Sequence, residues 1–492
     1  MKKKTIALAL LCGILIAAAA SCGSEETKPA ENTASAGTES AAEKEPDVLD
    51  FLPAGLDFEG RELVIYSCSP YGTSYGNEVS VLTGEYEAGD IVADAVYRRN
   101  VKVEDRLNVK LTDFFPENCN THWKIITDDL YKTVMSGDGA YDAACASITE
   151  MYRAALSGCL ANLLDVSSVD VTHSWWDQKQ NAAMTLGKVQ LFTLCGDINF
   201  LDNYATSAIF MNTSLVRKND MTVPYEDVKA GTWTFEKMQG MLHNFFTDLD
   251  GDSKSTINDM YGFAANFGIV RRALSGLSAT QIVLDAEGWP VVNDSERIES
   301  AVAMLADGIV NDRGFFNGHG DGKYAEIFFD GRCLMMEDNF SALVAAREQM
   351  EDDLTILPYP KYDEAQESYT SPINDCYCTV YGILTTADAE TVGYVLEAMG
   401  VASVDTVTEE VINKNCMVKA VRDEDTADMI RVILNSNSYP LELICNWGDI
   451  QSLANTVGDT KKNNYMTQLA KKSAKVQAAI DADMELLRNP EN

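Results

Sequence analysis

Four aspartates in the stretch TDLDGDSKSTINDMYGF stand at the spacing of an oxygen-lined cation loop. Asp248, Asp250, Asp252 and Asp259 take positions one, three, five and twelve, the order in which a twelve-residue calcium loop presents its carboxylates. The Lys254 carbonyl at position seven and Thr256 at position nine, acting through water, complete the expected ligand set. Ser253 stands at position six, where such loops usually carry Gly. Clustered carboxylates repel unless a cation neutralises them, so structural Ca2+ is expected over a bare acidic turn. A paired calcium sensor is not expected. TWTFEKMQGMLHNFF reads as an entering helix, but MYGFAANF beyond Asp259 reads as a strand, and there is a single loop. A docking module would carry two such loops in a short terminal repeat, which is absent.

Catalytic patterns are thin. Gly72-Thr73-Ser74-Tyr75-Gly76 fits G-x-S-x-G, the elbow on which hydrolases mount a nucleophilic Ser between strand and helix. The strand LVIYS does precede it, but Pro70 intervenes and NEVSVLTGEYEAG beyond has no helical face. Of the 4 histidines, His122, His173, His243 and His319, none forms HExxH or a close pair. A glycosidase needs two carboxylates aimed at one bond, and in a chain this acidic most acid pairs are solvated faces. No enzyme is expected, and an extracellular hydrolase stands as the lesser alternative.

The chain begins MKKKTIALALLCGILIAAAASCGS. Lys2, Lys3 and Lys4 precede an apolar run from Ile6 to Ala20, the layout of a secretory leader too short for a confident membrane span. Ala19-Ala20-Ser21-Cys22 resembles the bacterial lipobox, with Ala where Leu is usual. The resemblance implies a signal peptide over 1–21 and a lipid on Cys22. Residues 22–50 are dominated by Ser, Thr, Ala, Glu, Gly and Pro. They offer too little apolar surface to offset ordering entropy and read as a tether. A lipid-anchored body on the outer face of the cell membrane is expected to be water-soluble. The formal charge of −36 becomes more negative once a leader with three Lys is removed. It argues against nucleic acid and against lying on an anionic membrane.

Twelve cysteines are present. Beyond Cys12 and Cys22 they are scattered, mostly in apolar runs such as DAACAS, LFTLCG and LELICNW, which points to buried free thiols rather than a disulfide framework. Cys376 and Cys378 lack CxxC spacing and are expected on one face of a strand.

The elements that must position these residues are legible in outline. RELVIYS is a buried strand, GDIVADAVYRRNVKVEDRL an amphipathic helix and NVKLTDFF a second strand, which together make a βαβ unit. WKIITDDLYKTVMSG and YDAACAS add a helix and a strand, so the first part is α/β with a parallel sheet. VQLFTLCGD, TSAIFMNT, RCLMMED and YCTVYGILT read as further strands. SERIESAVAMLADGIV, YVLEAMGVAS and the terminal NNYMTQLAKKSAKVQAAIDADMELLRN read as helices.

Several stretches, taken in order, resemble the extracellular solute-binding proteins of ATP-driven importers, the sugar-binding family typified by maltose-binding protein. They are GDIVADAVYRRNVKVEDRLNVKL, WWDQKQNAAMTLGKVQLFTLCGDINFLDNYATSAIFMNTSLV, TWTFEKMQGM, FFDGRCLMMED and ILPYPKYDEAQESY. Cys333 takes the place of an Ala usual in the return strand. The resemblance runs from about Phe58 to the C-terminus. It implies a two-lobed periplasmic-binding-protein-like (type II) α/β fold, with a hinge and an interlobe cleft. The first lobe would hold 58–206 and 330–382, the second 207–329 and 383–492. It implies a monomer that captures a carbohydrate, most simply an oligosaccharide, and delivers it to the permease of an ABC transporter. A peptide or another solute in the same fold is the alternative. The residues expected at the solute are Tyr71 and Tyr75 after the first strand, Asp202, Asn203 and Tyr204, Asp338 and Asn339, Asn374 and Asp375, and Trp447 as a sugar-stacking platform. Aromatic faces suit the C–H face of a sugar ring and planar polar groups suit its hydroxyls. Trp175, Trp176 and Trp233 are expected in the core.

Overall fold

A computed structural model describes residues 47–68, 91–116, 125–199, 201–243, 245–318, 322–411 and 424–488. Its thirteen strands are β1 (Arg61–Cys68), β2 (Val109–Phe114), β3 (Ala143–Ser147), β4 (Ser207–Asn212), β5 (Tyr261–Ala265), β6 (Ile282–Leu284), β7 (Pro290–Val292), β8 (Phe315–Asn317), β9 (Cys333–Asn339), β10 (Leu354–Leu357), β11 (Ser371–Pro372), β12 (Thr379–Ile383) and β13 (Asn437–Ser438).

Two sheets organise the chain. The first runs β12-β3-β1-β2, with β1, β2 and β3 parallel and β12 antiparallel at one edge. The second runs β10-β4-β9-β5-β8, with β5, β8 and β9 parallel and β4 running against both β9 and the edge strand β10. The expected βαβ unit is β1, the helix Ile91–Leu107 and β2. Of the apolar positions whose 3.6-residue spacing marked it, the helix buries Val92, Ala95, Val96, Val103 and Leu107, while Ile91 at its first turn is exposed. β3, β4, β9 and β12 are buried along their whole length, which is why they read as unbroken apolar runs rather than alternating ones.

The strand pairing departs from the expected division of the chain. β9 and β10 lie in the stretch assigned to the first lobe, yet β9 is the centre of the second sheet and β10 its edge. The helix Ala389–Ser403 lies in the stretch assigned to the second lobe but packs on Ile91–Leu107 beneath the first sheet. A strand covered on both faces needs neighbours on both sides, and periodicity does not say which. VQLFTLCGD is not a strand either. It is an extended run whose bridges are isolated, Leu186 with Gln190 and Leu194 with Tyr381. Cys376 sits in a turn ahead of β12, so the expected CYC strand face is not formed. The described cysteines are free thiols, all buried except the partly covered Cys376 and Cys445.

One buried carboxylate holds the segment 170–176 to the first sheet's helices. Glu397, 1% exposed, accepts the Asp170 N–H at 2.7 Å, the Trp175 indole at 2.9 Å and the Trp176 indole at 3.1 Å. The His173 Nδ1 lies 2.9 Å from Oε2, the oxygen that also accepts the Trp175 indole. Gly393 and Gly400 share that helix face. A Cβ on Gly393 would stand 2.1 Å from Ser168 Oγ, and one on Gly400 2.5 Å from Trp175. Small residues admit the segment, and Glu397 satisfies its donors. Glu397→Ala leaves several buried donors without an acceptor. It should lower unfolding free energy by about 3–5 kcal/mol, read as a fall in the urea midpoint. Glu397→Gln keeps one acceptor oxygen and should cost less.

Candidate functional site

All parallel strands of a sheet end on one side. In the first sheet β1, β2 and β3 end at Cys68, Phe114 and Ser147, and in the second β5, β8 and β9 end at Ala265, Asn317 and Asn339. Open α/β sheets place ligands beyond these carboxyl ends. Here the chain also crosses between the sheets. Tyr204 to Thr206 leads into β4, and the Thr206 carbonyl accepts Phe340 N–H at 2.7 Å just after β9. The Ala205 carbonyl accepts Asn374 N–H at 2.8 Å, and Thr206 bridges Ile373. β11 pairs in parallel with β13, and Ile373 N–H donates to Ser438 O at 3.0 Å. Four stretches distant in sequence thus lie side by side as one ribbon.

Three of the expected residue groups meet there: Asp202-Asn203-Tyr204, Asp338-Asn339 and Asn374-Asp375. Their roles differ. Asp202 is 2% exposed and turned inward. Tyr204, 6% exposed, stacks over Phe340 at 6.2 Å. Asp338 accepts the Tyr324 hydroxyl at 2.9 Å and the Asn339 N–H at 2.7 Å. Asn374 caps its own turn by accepting Cys376 N–H at 3.1 Å. Asp375 accepts the Thr149 hydroxyl at 3.4 Å. Burial raises its pKa, against the opposing charge of Arg271.

Sequence reasoning missed the cations at this edge. Arg271 and Arg272 open the helix Ile269–Gly276 directly after β5. Arg272 forks onto Glu337 at 2.7 and 2.6 Å, and Glu337 also accepts the Tyr359 hydroxyl at 2.7 Å. Burial opposes the Arg272 charge, but Glu337 outweighs it and raises the pKa. Arg271 meets the Gln451 carbonyl oxygen; burial lowers its pKa, with Asp375 opposing. The paired arginines after an apolar strand were the available signal. The exposed rings were missed as well. Phe114 ends β2, Phe115 follows it, and Phe267 follows β5, each more than two-fifths exposed.

Trp447 does not offer a free face. It is 3% exposed, meets Tyr152 edge-on at 6.0 Å and donates its indole N–H to Asp483 at 2.7 Å. Tyr152 donates to the same carboxylate at 2.8 Å, so the ring is packed between helices rather than poised as a platform. Trp176 and Trp233 are core residues as expected, 2% and 0% exposed, and Trp175 is half-buried. Tyr71, Tyr75, Ser74 and Cys22 lie outside the described residues.

The aspartate loop is a separate feature. Asp248, Asp250 and Asp252 bring one oxygen each to within 4.8 Å of one another. Asp248 accepts Gly251 N–H at 2.7 Å and Ser253 N–H at 2.8 Å. Ser253 adopts φ 64, the left-handed turn that Gly would supply without strain. An all-oxygen set of this kind fits Ca2+. Asp259 departs from the expected position-twelve role. It is fully buried, and its oxygens accept Leu249 N–H at 3.0 Å and Thr256 N–H at 2.8 Å. The Thr256 hydroxyl is held by Asp259 and the Asn258 N–H. Lys254 donates its N–H to Asp252, and its ammonium stands 3.9 Å from that carboxylate.

No family model and no curated protein sequence matches the chain. Solved structures do. The ABC substrate-binding protein Lmo0181 from Listeria monocytogenes, in complex with cycloalternan, is 11% identical, with 87% of this chain and 98% of that chain covered and a TM-score of 0.52. UgpB from Mycobacterium tuberculosis, in complex with glycerophosphocholine, is 12% identical over 86% of this chain and 100% of that one, with a TM-score of 0.55. An ABC transporter solute-binding protein from Thermotoga lettingae, bound with α-D-tagatose, is 13% identical over 87% and 100%, with a TM-score of 0.51. At these identities the likeness is one of fold, and the fold is the two-lobed periplasmic-binding-protein type.

Burial pushes Asp338 up to about 6, with the Asn339 N–H opposing and Glu337 adding to the rise. A carboxyl whose folded pKa is raised contributes stability below its unfolded pKa, and that contribution is lost as pH rises through the folded value. Stability relative to Asp338→Asn should therefore fall between about pH 4 and pH 6, by up to roughly 3 kcal/mol. Paired urea titrations across that range measure it.

Proposed function

We propose that this chain is a cell-surface solute receptor that captures a carbohydrate between two lobes and presents it to the permease of an ABC transporter. The observation that carries the reading is the ribbon of four crossing segments set against the carboxyl edges of both sheets. A hinge of that kind lets two rigid α/β bodies close around a ligand and reopen, and such clefts bind small molecules. Fold neighbours bound to cycloalternan and tagatose support a carbohydrate, and the exposed phenylalanines at the edges supply rings for stacking. Binding needs no bond to break, so the receptor is not an enzyme.

The front of the chain fits this role. Cys22 would carry the lipid, and the tether expected over 22–50 would stop short of Asp47, because the turn Val48–Phe51 buries Leu49 in the body; the remainder would give the body reach from the outer face of the membrane. Cys22→Ala should move the protein from the membrane fraction to the medium. A variant that stays membrane-bound would remove the anchor from the proposal.

A thermal-shift screen with oligosaccharides, monosaccharides and peptides tests the cargo. A ligand at about a hundred times its dissociation constant should add roughly 2.7 kcal/mol. One glycan class raising the midpoint without any product is the expected result. A response to peptides alone overturns the carbohydrate assignment, and product formation overturns the receptor. Phe267→Ala should weaken the responding glycan by about 0.5–1.5 kcal/mol if the ring stacks on it.

Calcium belongs to the same proposal, as a clamp on the loop before β5 held by Asp248, Asp250 and Asp252. Chelator should lower the midpoint of the native chain and leave Asp250→Asn unchanged. An equal midpoint with and without chelator would leave an acidic turn neutralised by Lys254.

A further inference from the structure

At the root of the crossing ribbon, Asp177, Cys195 and Asp202 each bring one ligand atom to within 4.8 Å of the others. We propose that this cluster is a binding site for a thiophilic divalent cation of the Zn2+ class. The proposal stands independently of what the cleft binds.

Separate elements deliver the donors. Asp177 caps the helix Gln178–Met184, one oxygen accepting Lys179 N–H at 2.8 Å and Gln180 N–H at 3.0 Å. Its other oxygen accepts the Asn437 amide at 2.6 Å and the Tyr439 hydroxyl at 2.8 Å. Cys195 is fully buried; its carbonyl accepts Asp177 N–H at 2.9 Å, and its sulfur lies 3.4 Å from the Tyr439 hydroxyl. Asp202 lies in the helix Leu201–Tyr204, immediately before the crossing at Ala205. Its carboxylate meets the Asn203 N–H at 2.6 Å and the Cys195 thiol. Cys378, at the root of β12, places a second thiol against Cys195.

The donors around the two carboxylates are unequal. Asp177 has two donors on each oxygen, so an ion must displace one of them, and the Tyr439 hydroxyl, which lies against both Asp177 and the Cys195 sulfur, is the one that rotates away. Asp202, 2% exposed, has no ion pair with Lys or Arg among the described residues. A buried carboxylate in that position either keeps its proton or holds a cation.

Sulfur decides the class of ion. Ca2+ and Mg2+ take oxygen, whereas thiolate beside carboxylate suits Zn2+. Zn–S of about 2.3 Å and Zn–O of about 2.0–2.2 Å require the donors to draw together by at most roughly 1 Å from the 4.8 Å limit. Binding displaces the proton of the Cys195 thiol and the proton of the Asp202 carboxyl. Both go to solvent, and no electron is transferred. The ion would tie the helix cap at Asp177 and the run through Cys195 to the start of the first crossing. Cys378 would join them to the third, so the hinge would be stiffened at its root.

The test uses the purified full chain, reduced and stripped by chelator, then given Zn2+, or Co2+ as a spectroscopic probe. The expected result is one ion retained per chain after desalting, a thiolate-to-Co2+ charge-transfer band and a raised thermal midpoint. Cys195→Ser should abolish the band, and Asp202→Asn should weaken binding at least tenfold. No retained ion, or a band unchanged in Cys195→Ser, overturns the site. Should the variants fail to fold, the native chain decides. Bound Zn2+ must slow alkylation of Cys195 during brief exposure to urea, mapped by mass spectrometry, and equal rates with and without Zn2+ overturn it. A glycan response that survives all of these outcomes leaves the receptor reading intact.

Discussion

The structure depends on four stretches of backbone that must cross between two sheets at one place. Buried peptide groups need partners, and a crossing segment cannot take them from either sheet. Each takes them from the other crossings instead: Ala205 from Asn374, Thr206 from Phe340 and Ile373, and Ser438 from Ile373. The ribbon this makes settles which strands begin and end at the junction. Antiparallel β4 and β12 start there, and parallel β3 and β9 finish there, as the registers Ser207–Asn339 and Ser147–Thr379 show.

Polar side chains in the interior follow a consistent rule, and its exceptions mark places of interest. Glu397 has donors for both oxygens, and Arg272 and Glu337 satisfy one another with help from Tyr359. Such groups fix geometry because removing either partner strands the other. Asp202, Asp338 and Asp375 take hydrogen bonds but no Lys or Arg ion pair among the described residues. Asp202 and Asp338 are covered and Asp375 is half-buried, and for each burial is the leading cause of a raised pKa. All three sit at the crossing ribbon. Carboxyls held in reserve in this way respond to protons, to cations or to ligand groups that reach them.

Much of the architecture was legible because it rests on local periodicity. The 3.6-residue pattern of Ile91–Leu107 and the apolar runs of β1, β3, β4 and β9 needed no tertiary knowledge. VQLFTLCGD failed for the same reason that β3 succeeded. Both are short apolar runs, and only the available edge of a neighbouring strand makes one of them a ladder. Trp447 failed differently. An aromatic followed by Gly in a polar loop looks like a ligand platform, but its indole N–H found Asp483 and its ring found Tyr152. Those partners lie on distant helices.

By itself the sequence determined the alternation of elements, the aspartate loop and the three short polar stretches that flank the crossings. These follow from composition and from spacing within about twenty residues, where chain geometry allows few alternatives. Only the tertiary structure decided that β9 joins the second sheet, that the helix Ala389–Ser403 returns to the first, and which way each polar side chain at the ribbon points. Asp202 and Asn203 are neighbours in sequence and alike in chemistry. One is buried against Cys195 and the other is half-buried, because the direction of a side chain is set by what packs against it.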